Sequence, residues 1–197
     1  MPTIKFYVRE GLLPAGELTS PNQASYAETH VQRLRLIRAL LDVGGMPVAD
    51  IREVIAAIDD SDQTVHQVLG AATKRMVPRC DREPSAGLEE ARERIAELIA
   101  AHGWQTYSGG QTTEALVAAL AALHELGHGA FDEVLDVYAD AAERVAQADL
   151  EYVARYAARE ELVERVAAGT VLGDAIFSAL RRLAQVDASE RIFGESP

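Results

Sequence analysis

The sequence predicts a mainly helical protein with one small β-hairpin near its start. Three observations lead there. Apolar residues recur at spacings of three and four through most of the 197 positions. Alanine (34 residues) and arginine (17 residues) are abundant, and both favour helix. Clusters of turn-forming residues at 11–22 and 78–87 punctuate the chain, and long stretches between such breaks are free to be helical.

Residues 2–11 read as a short helix, with Pro2 in its first turn and Gly11 just past its end. Pro14, Gly16, Pro21 and Asn22 then break the pattern, and a hairpin fits with Thr19 and Tyr26 flanking a Pro21-Asn22 turn. From Glu28 a helix presents Val31, Leu34, Ile37, Leu40 and Leu41 on one face and stops at Gly44-Gly45. Residues 48–58 form the next, with Ile51, Val54, Ile55 and Ile58 inward, and a weaker helix covers 64–77. Two prolines, a glycine and charged residues make 78–87 the linker. Beyond it, helices are expected at 88–102 and 113–126. A long one, capped by Asp132, should run to about 168 with Val134, Tyr138, Ala141, Val145, Ala148 and Tyr152 as its seam. The last spans about 170–185, with Leu172, Ile176, Ala179 and Leu183 aligned.

Composition narrows the function classes. Apolar residues at 48% exclude a wholly disordered chain. The longest run without a charged or polar residue, Ala115–Leu123, is far shorter than a membrane span. With no apolar signal core behind Met1 and one cysteine, Cys80, a reducing cytoplasmic location is expected, and no membrane partner. The excess of arginine over lysine hints at a bacterial gene. A net charge of −12 argues against nucleic acid only if it is evenly spread. It is not. Residues 1–40 hold five basic and three acidic side chains, a net +2, which leaves −14 for the rest.

That weakly positive head has the parts of a DNA-reading unit: a basic aromatic helix, a turn-rich hairpin and an arginine-bearing amphipathic helix. Lys5 and Arg9, four apart, share a face that can meet phosphates or base edges. Tyr7 offers a hydroxyl, Asn22 lies at the hairpin tip, and Arg33 and Arg35 flank the polar side of the following helix. Ordinary solvated charges, with Phe6 and Leu12 as core, are the alternative.

The run Thr3-Ile4-Lys5-Phe6-Tyr7-Val8-Arg9-Glu10-Gly11-Leu12-Leu13-Pro14 resembles the recognition helix and following turn of the MerR family of bacterial transcription regulators. Residues 22–26, ending in Tyr26, look like the family's wing. Residues 32–40 and 47–57 resemble its next two helices, and 169–172, 178–184 and 189–193 its helical C-terminal tail. The resemblance implies a mainly α protein: a partial winged helix-turn-helix with a small β-hairpin wing, then a helical dimerisation and effector domain. It divides the chain into a DNA-binding domain at 1–60, a connecting helix and linker at 61–87, and a C-terminal domain at 88–197. It implies a homodimer that binds double-stranded promoter DNA, works with RNA polymerase and responds to a small-molecule effector. By matched position, Thr3, Lys5, Tyr7 and Arg9 face DNA, Asn22 and Tyr26 belong to the wing, and Arg33 or Arg35 to the helix behind it. Glu17 and Ser25 stand where relatives often place arginine. Relatives also carry a first helix ahead of this point. The expectation is a true start upstream of Met1, with a natural truncation that impairs DNA binding as the alternative.

Three other features bear on chemistry. His124-Glu125-Leu126-Gly127-His128 matches H-E-x-x-H, the pattern of a zinc hydrolase. Glycines on both sides of His128 should end the helix before that second ligand, and Val134 stands at the usual place of the third, which leaves only Glu143 or Asp140, on a helix with solvated neighbours, for a looser arrangement. Cys80 alone makes no soft-metal site within one protomer. Trp104, Tyr107 and Tyr138, set among alanines, are the candidates for lining an effector pocket, against ordinary core. The expectation is therefore a non-enzymatic DNA-binding regulator with no cofactor or metal. A truncated helical dimerisation module without DNA binding is the rival, and a zinc hydrolase a distant third.

Overall fold

The computed structural model describes residues 4–20, 23–77, 85–105, 110–156 and 159–194. Thr3, Asn22, Cys80 and Tyr107, named above, lie outside them. The chain forms two compact units: Met1–Ala72 together with Tyr156–Pro197, and Thr73–Arg155. The segment expected as one C-terminal domain, 88–197, is thus divided between them.

In the first unit, α1 spans Ile4–Arg9 among the described residues, the start expected at Pro2 lying outside them. The amides of Leu12 and Leu13 return to the Tyr7 carbonyl at 2.9 and 3.3 Å, closing the turn at Gly11. β1 (Glu17–Ser20) and β2 (Gln23–Ser25) make the expected antiparallel hairpin, pairing Glu17 with Ser25 and Leu18 with Ala24. Gly16 is required at its base. A Cβ there would fall 2.6 Å from the Ser25 carbonyl oxygen and 2.9 Å from the Tyr26 ring.

α2 (Glu28–Arg38) buries Leu36 and Ile37 and continues into a π-helical turn, Ala39–Val43, closed by the Gly44 amide on the Ala39 carbonyl at 3.0 Å. Such wide turns arise where packing or function overrides the regular ladder, and nothing in the local sequence pointed to this one. α3 (Val48–Asp59) starts at Pro47 and buries Ile51, Val54 and Ile55, as its spacing requires. α4 (Val65–Met76) follows, with Val68 and Ala72 buried.

The same unit contains the end of the chain. α8 (Arg159–Phe193) packs on the π-helical turn and on α3, with Val166, Ala167 and Val171 buried. A break was expected near Gly169-Thr170, but both lie inside α8, and the helix runs to Phe193 rather than to about 185. Glycine inside a helix costs about 1 kcal/mol, which buried packing at this place offsets. Thr170 does not cap a helix: its hydroxyl donates back to the Val166 carbonyl at 2.8 Å.

The second unit is built from α5 (Ala86–Ala101), α6 (Gln111–Glu125), a 3₁₀ turn (Gly129–Phe131) and α7 (Asp132–Tyr156). Ser85 caps α5, its hydroxyl oxygen accepting from the Leu88 amide at 3.2 Å. The core joins Leu88, Ala91, Ile95 and Leu98 of α5, Val117, Leu120 and Ala121 of α6, and Leu135 and Ala139 of α7. The seam expected on α7 is covered only in part, with Val134, Ala141 and Val145 half-buried. Leu135 and Ala139 go inside, whereas Tyr138 and Tyr152 are exposed. Two ion pairs tie the helices together: Arg92 with Glu114, and Arg94 with Asp136 at 3.2 Å. The Arg92 guanidinium, hydrogen-bonding Glu114, holds that carboxyl below its ordinary range, and Glu114 in turn raises the Arg92 guanidinium. Among the described residues, no helix is long and apolar enough to cross a membrane.

Candidate nucleic-acid interface

α1 is amphipathic over barely two turns. Tyr7 is 4% exposed and faces the core, while Lys5 and Arg9 project outward, with the Arg9 side chain 72% exposed. Phe6 sits between these faces, edge-on to Tyr7 with ring centroids 5.6 Å apart. The pair expected from i, i+4 spacing is therefore presented side by side on the open face. Tyr7 is mainly a packing residue, whose ring anchors the helix from behind.

The far end of α1 is tied to α3. Arg52 Nε donates to the Glu10 carbonyl at 2.8 Å and its Nη2 to the Glu10 carboxylate at 2.6 Å. This clamp escaped sequence reading because the two residues are 42 apart, with no periodic signal linking them.

The hairpin stands beside exposed residues. Leu18 on β1 is 80% exposed, an apolar side chain on a wing strand that the sequence reading passed over. Tyr26 leaves β2 and packs edge-on against His30, at 5.4 Å between ring centroids. His30 in turn fixes the start of α2, its Nδ1 accepting from the Ala27 amide at 3.1 Å. That hydrogen bond needs an unprotonated Nδ1.

The two arginines of α2 part company. Arg33 pairs with Asp59 of α3 and is only 18% exposed, so its charge is spent within the fold. Arg35 is 74% exposed and only loosely paired with Glu28, at 3.8 Å.

In the second unit Trp104 packs against the edge of the core, its ring 4.9 Å from that of His102, which lies 3.5 Å from Glu143. Tyr138 stacks edge-on with Phe131 at 5.7 Å between centroids. The H-E-x-x-H segment does not form a helical ligand pair. α6 ends at Glu125, His128 stands at the start of the 3₁₀ turn, and His124 Nε2 is engaged by Asp132 Oδ1 at 2.8 Å. Among the described residues no three His, Cys, Asp or Glu side chains are grouped to hold a metal.

Comparison with known proteins agrees with this geometry. Residues 2–58, the segment carrying α1, the hairpin, α2 and α3, match the MerR HTH family of regulatory proteins. No curated protein matches the chain. The crystal structure of SCO5550 from Streptomyces coelicolor A3(2), a candidate transcriptional regulator, is 35% identical. It superposes with a TM-score of 0.74 over 98% of this chain and 92% of that one. With a matching reading head and a relative alike over nearly its whole length, the chain belongs to the MerR HTH family of regulatory proteins.

Proposed function

We propose that this protein is a homodimeric, cytoplasmic transcription regulator that reads double-stranded promoter DNA through α1 and the hairpin, works with RNA polymerase there, and answers a small-molecule effector. One observation carries the DNA reading: α1 buries Tyr7 while presenting Lys5 and Arg9 together on its open face. Thr3, just ahead of α1 in the sequence, would assist, with Asn22 and Tyr26 on the wing and Arg35 behind it, while Tyr7 supports the helix from the core. Arg33 contributes by holding α2 to α3.

The dimer reading rests on α8. Past its buried segment the helix carries Leu172, Ile176, Ala179, Leu183, Val186, Glu190 and Phe193, spaced alternately by four and three, the pattern of a two-helix seam. Ile176, Leu183, Val186 and Phe193 are each more than half exposed. In an antiparallel pair Leu183 would meet Val186 of the second copy, and Ala179 would leave room for Glu190. The effector is assigned to the second unit, around Trp104 and Tyr138, with Tyr107 in the adjoining segment.

The test is mobility retardation of a duplex taken from upstream of the protein's own coding sequence. Wild type should retard it, and Lys5→Ala with Arg9→Ala should abolish that while leaving the helical circular dichroism unchanged. Equal retardation by both proteins sinks the reading of α1. A dimer that retards no upstream duplex favours the interaction-module alternative.

A further inference from the structure

An ionic chain in the first unit runs from α3 through the end of α1 to its open face. Arg52 grips Glu10 twice, at the carbonyl and at carboxylate Oε2. The other oxygen, Oε1, lies 3.4 Å from Arg9 Nε, and the Arg9 guanidinium carbon stands 5.4 Å from the Phe6 ring centroid. We propose that Arg52 and Glu10 are positioning residues for Arg9, and that the sequence selectivity of DNA reading depends on the orientation they impose. This rests on the DNA-reading role of α1 proposed above.

The physical case has three parts. First, a planar guanidinium reads a base edge or a phosphate by two parallel hydrogen bonds, so its plane must be set as well as its place. Second, a long arginine side chain loses rotamer freedom when it docks, and holding it beforehand lowers that loss. An exposed arginine–carboxylate pair by itself biases orientation only several-fold. Here the carboxylate is not itself free to wander: the Glu10 side chain is 26% exposed and pinned by Arg52. The Phe6 face adds a second, cation–π restraint. Third, a lone carboxylate beside a DNA-facing arginine would repel phosphate, and the charge of Arg52 offsets it.

The experiment is selection by purified full-length protein from a duplex library with a randomised core, followed by sequencing. Wild type should enrich a motif. Glu10→Gln and Arg52→Gln should still retain the pooled duplex, but enrichment should fall about fivefold at the positions that Arg9→Ala also flattens. Added to Arg9→Ala, neither should flatten the motif further. Arg52→Lys, with a point charge in place of the fork, should restore it only in part. In the free protein the Arg9 Nε–H nuclear magnetic resonance signal should shift in Glu10→Gln while the amides of α2 and α3 stay in place. Should Arg52→Gln fail to fold, Glu10→Gln carries the test alone. Retention of the wild-type motif by Glu10→Gln overturns the proposal, as does flattening at positions indifferent to Arg9. A wild type that retains no duplex overturns the DNA reading itself, and this proposal with it.

Discussion

Replacing Gly44 by alanine puts a methyl group where the C-terminal helix meets the reading head. A Cβ there would lie 2.3 Å from Val171 Cγ1 and 2.8 Å from the Leu40 carbonyl oxygen. Carbon atoms in contact prefer about 3.5–4.0 Å, so the Val171 side chain must turn aside or α8 back away by more than about 1 Å. Backbone strain plays no part, because Gly44 has φ −72° and ψ −14°, open to any residue. Overpacking of this kind costs about 1–3 kcal/mol. The stiffer unfolded chain returns about 0.4–1 kcal/mol. The expected net loss is about 1–2 kcal/mol. Val171→Ala alone removes two methyl groups from a fully buried side chain and should cost about 2 kcal/mol. Combined, the two changes relieve the contact with Val171 and leave that with the Leu40 carbonyl oxygen, so the double variant should be more stable than the sum by about 1 kcal/mol. Urea denaturation followed by circular dichroism measures all four corners of the cycle. Losses that add within about 0.5 kcal/mol would refute the docking of α8 at Gly44.

Three further outcomes follow from the same structure. Glu114 has its carboxyl lowered by the hydrogen bond from Arg92, so its stabilising effect is complete above the unfolded value near 4.5 and fades as the pH falls through the lower folded value. The urea midpoint of wild type should fall as the pH drops below about 4.5, whereas Glu114→Gln should start lower at neutral pH and lose less over the same range. Leu183→Asp with Ile176→Asp should turn a dimer into a monomer in sedimentation equilibrium without lowering helix content, because both side chains are exposed within one chain. Arg33→Ala should cost about 1 kcal/mol by breaking its pair with Asp59, whereas Arg35→Ala should leave the urea midpoint unchanged and weaken DNA binding.

Local signals made the reading head legible. Proline, glycine and the i, i+4 pair of Lys5 and Arg9 mark α1, and turn residues mark the hairpin. The three-four spacing of Ile51, Val54 and Ile55 picks out their helix, and all three are buried. What stayed hidden is tertiary. Gly44 looks like a helix stop in sequence, yet its second role, admitting Val171, depends on a helix far along the chain. The Gly169-Thr170 step reads as a boundary by propensity and is overridden by burial of Val166, Ala167 and Val171. On α7 the period was visible, but an amphipathic helix with alanines on several faces does not announce which face packs. In the candidate site, the exposure of Lys5 and Arg9 was readable. The withdrawal of Arg33 to Asp59 and the grip of Arg52 on Glu10 were not, because partners 26 and 42 residues away leave no local mark.

The central claim is that α1 meets DNA with Lys5 and Arg9, and the salt dependence of binding tests it most directly. Association with the upstream duplex, followed by fluorescence anisotropy across a range of salt concentrations, gives a log–log slope of about −0.9 per phosphate neutralised. The Lys5→Ala, Arg9→Ala protein should bind more weakly, with a slope shallower by up to about 2 for each protomer engaged. Equal affinity and equal slope for the two proteins would contradict the claim.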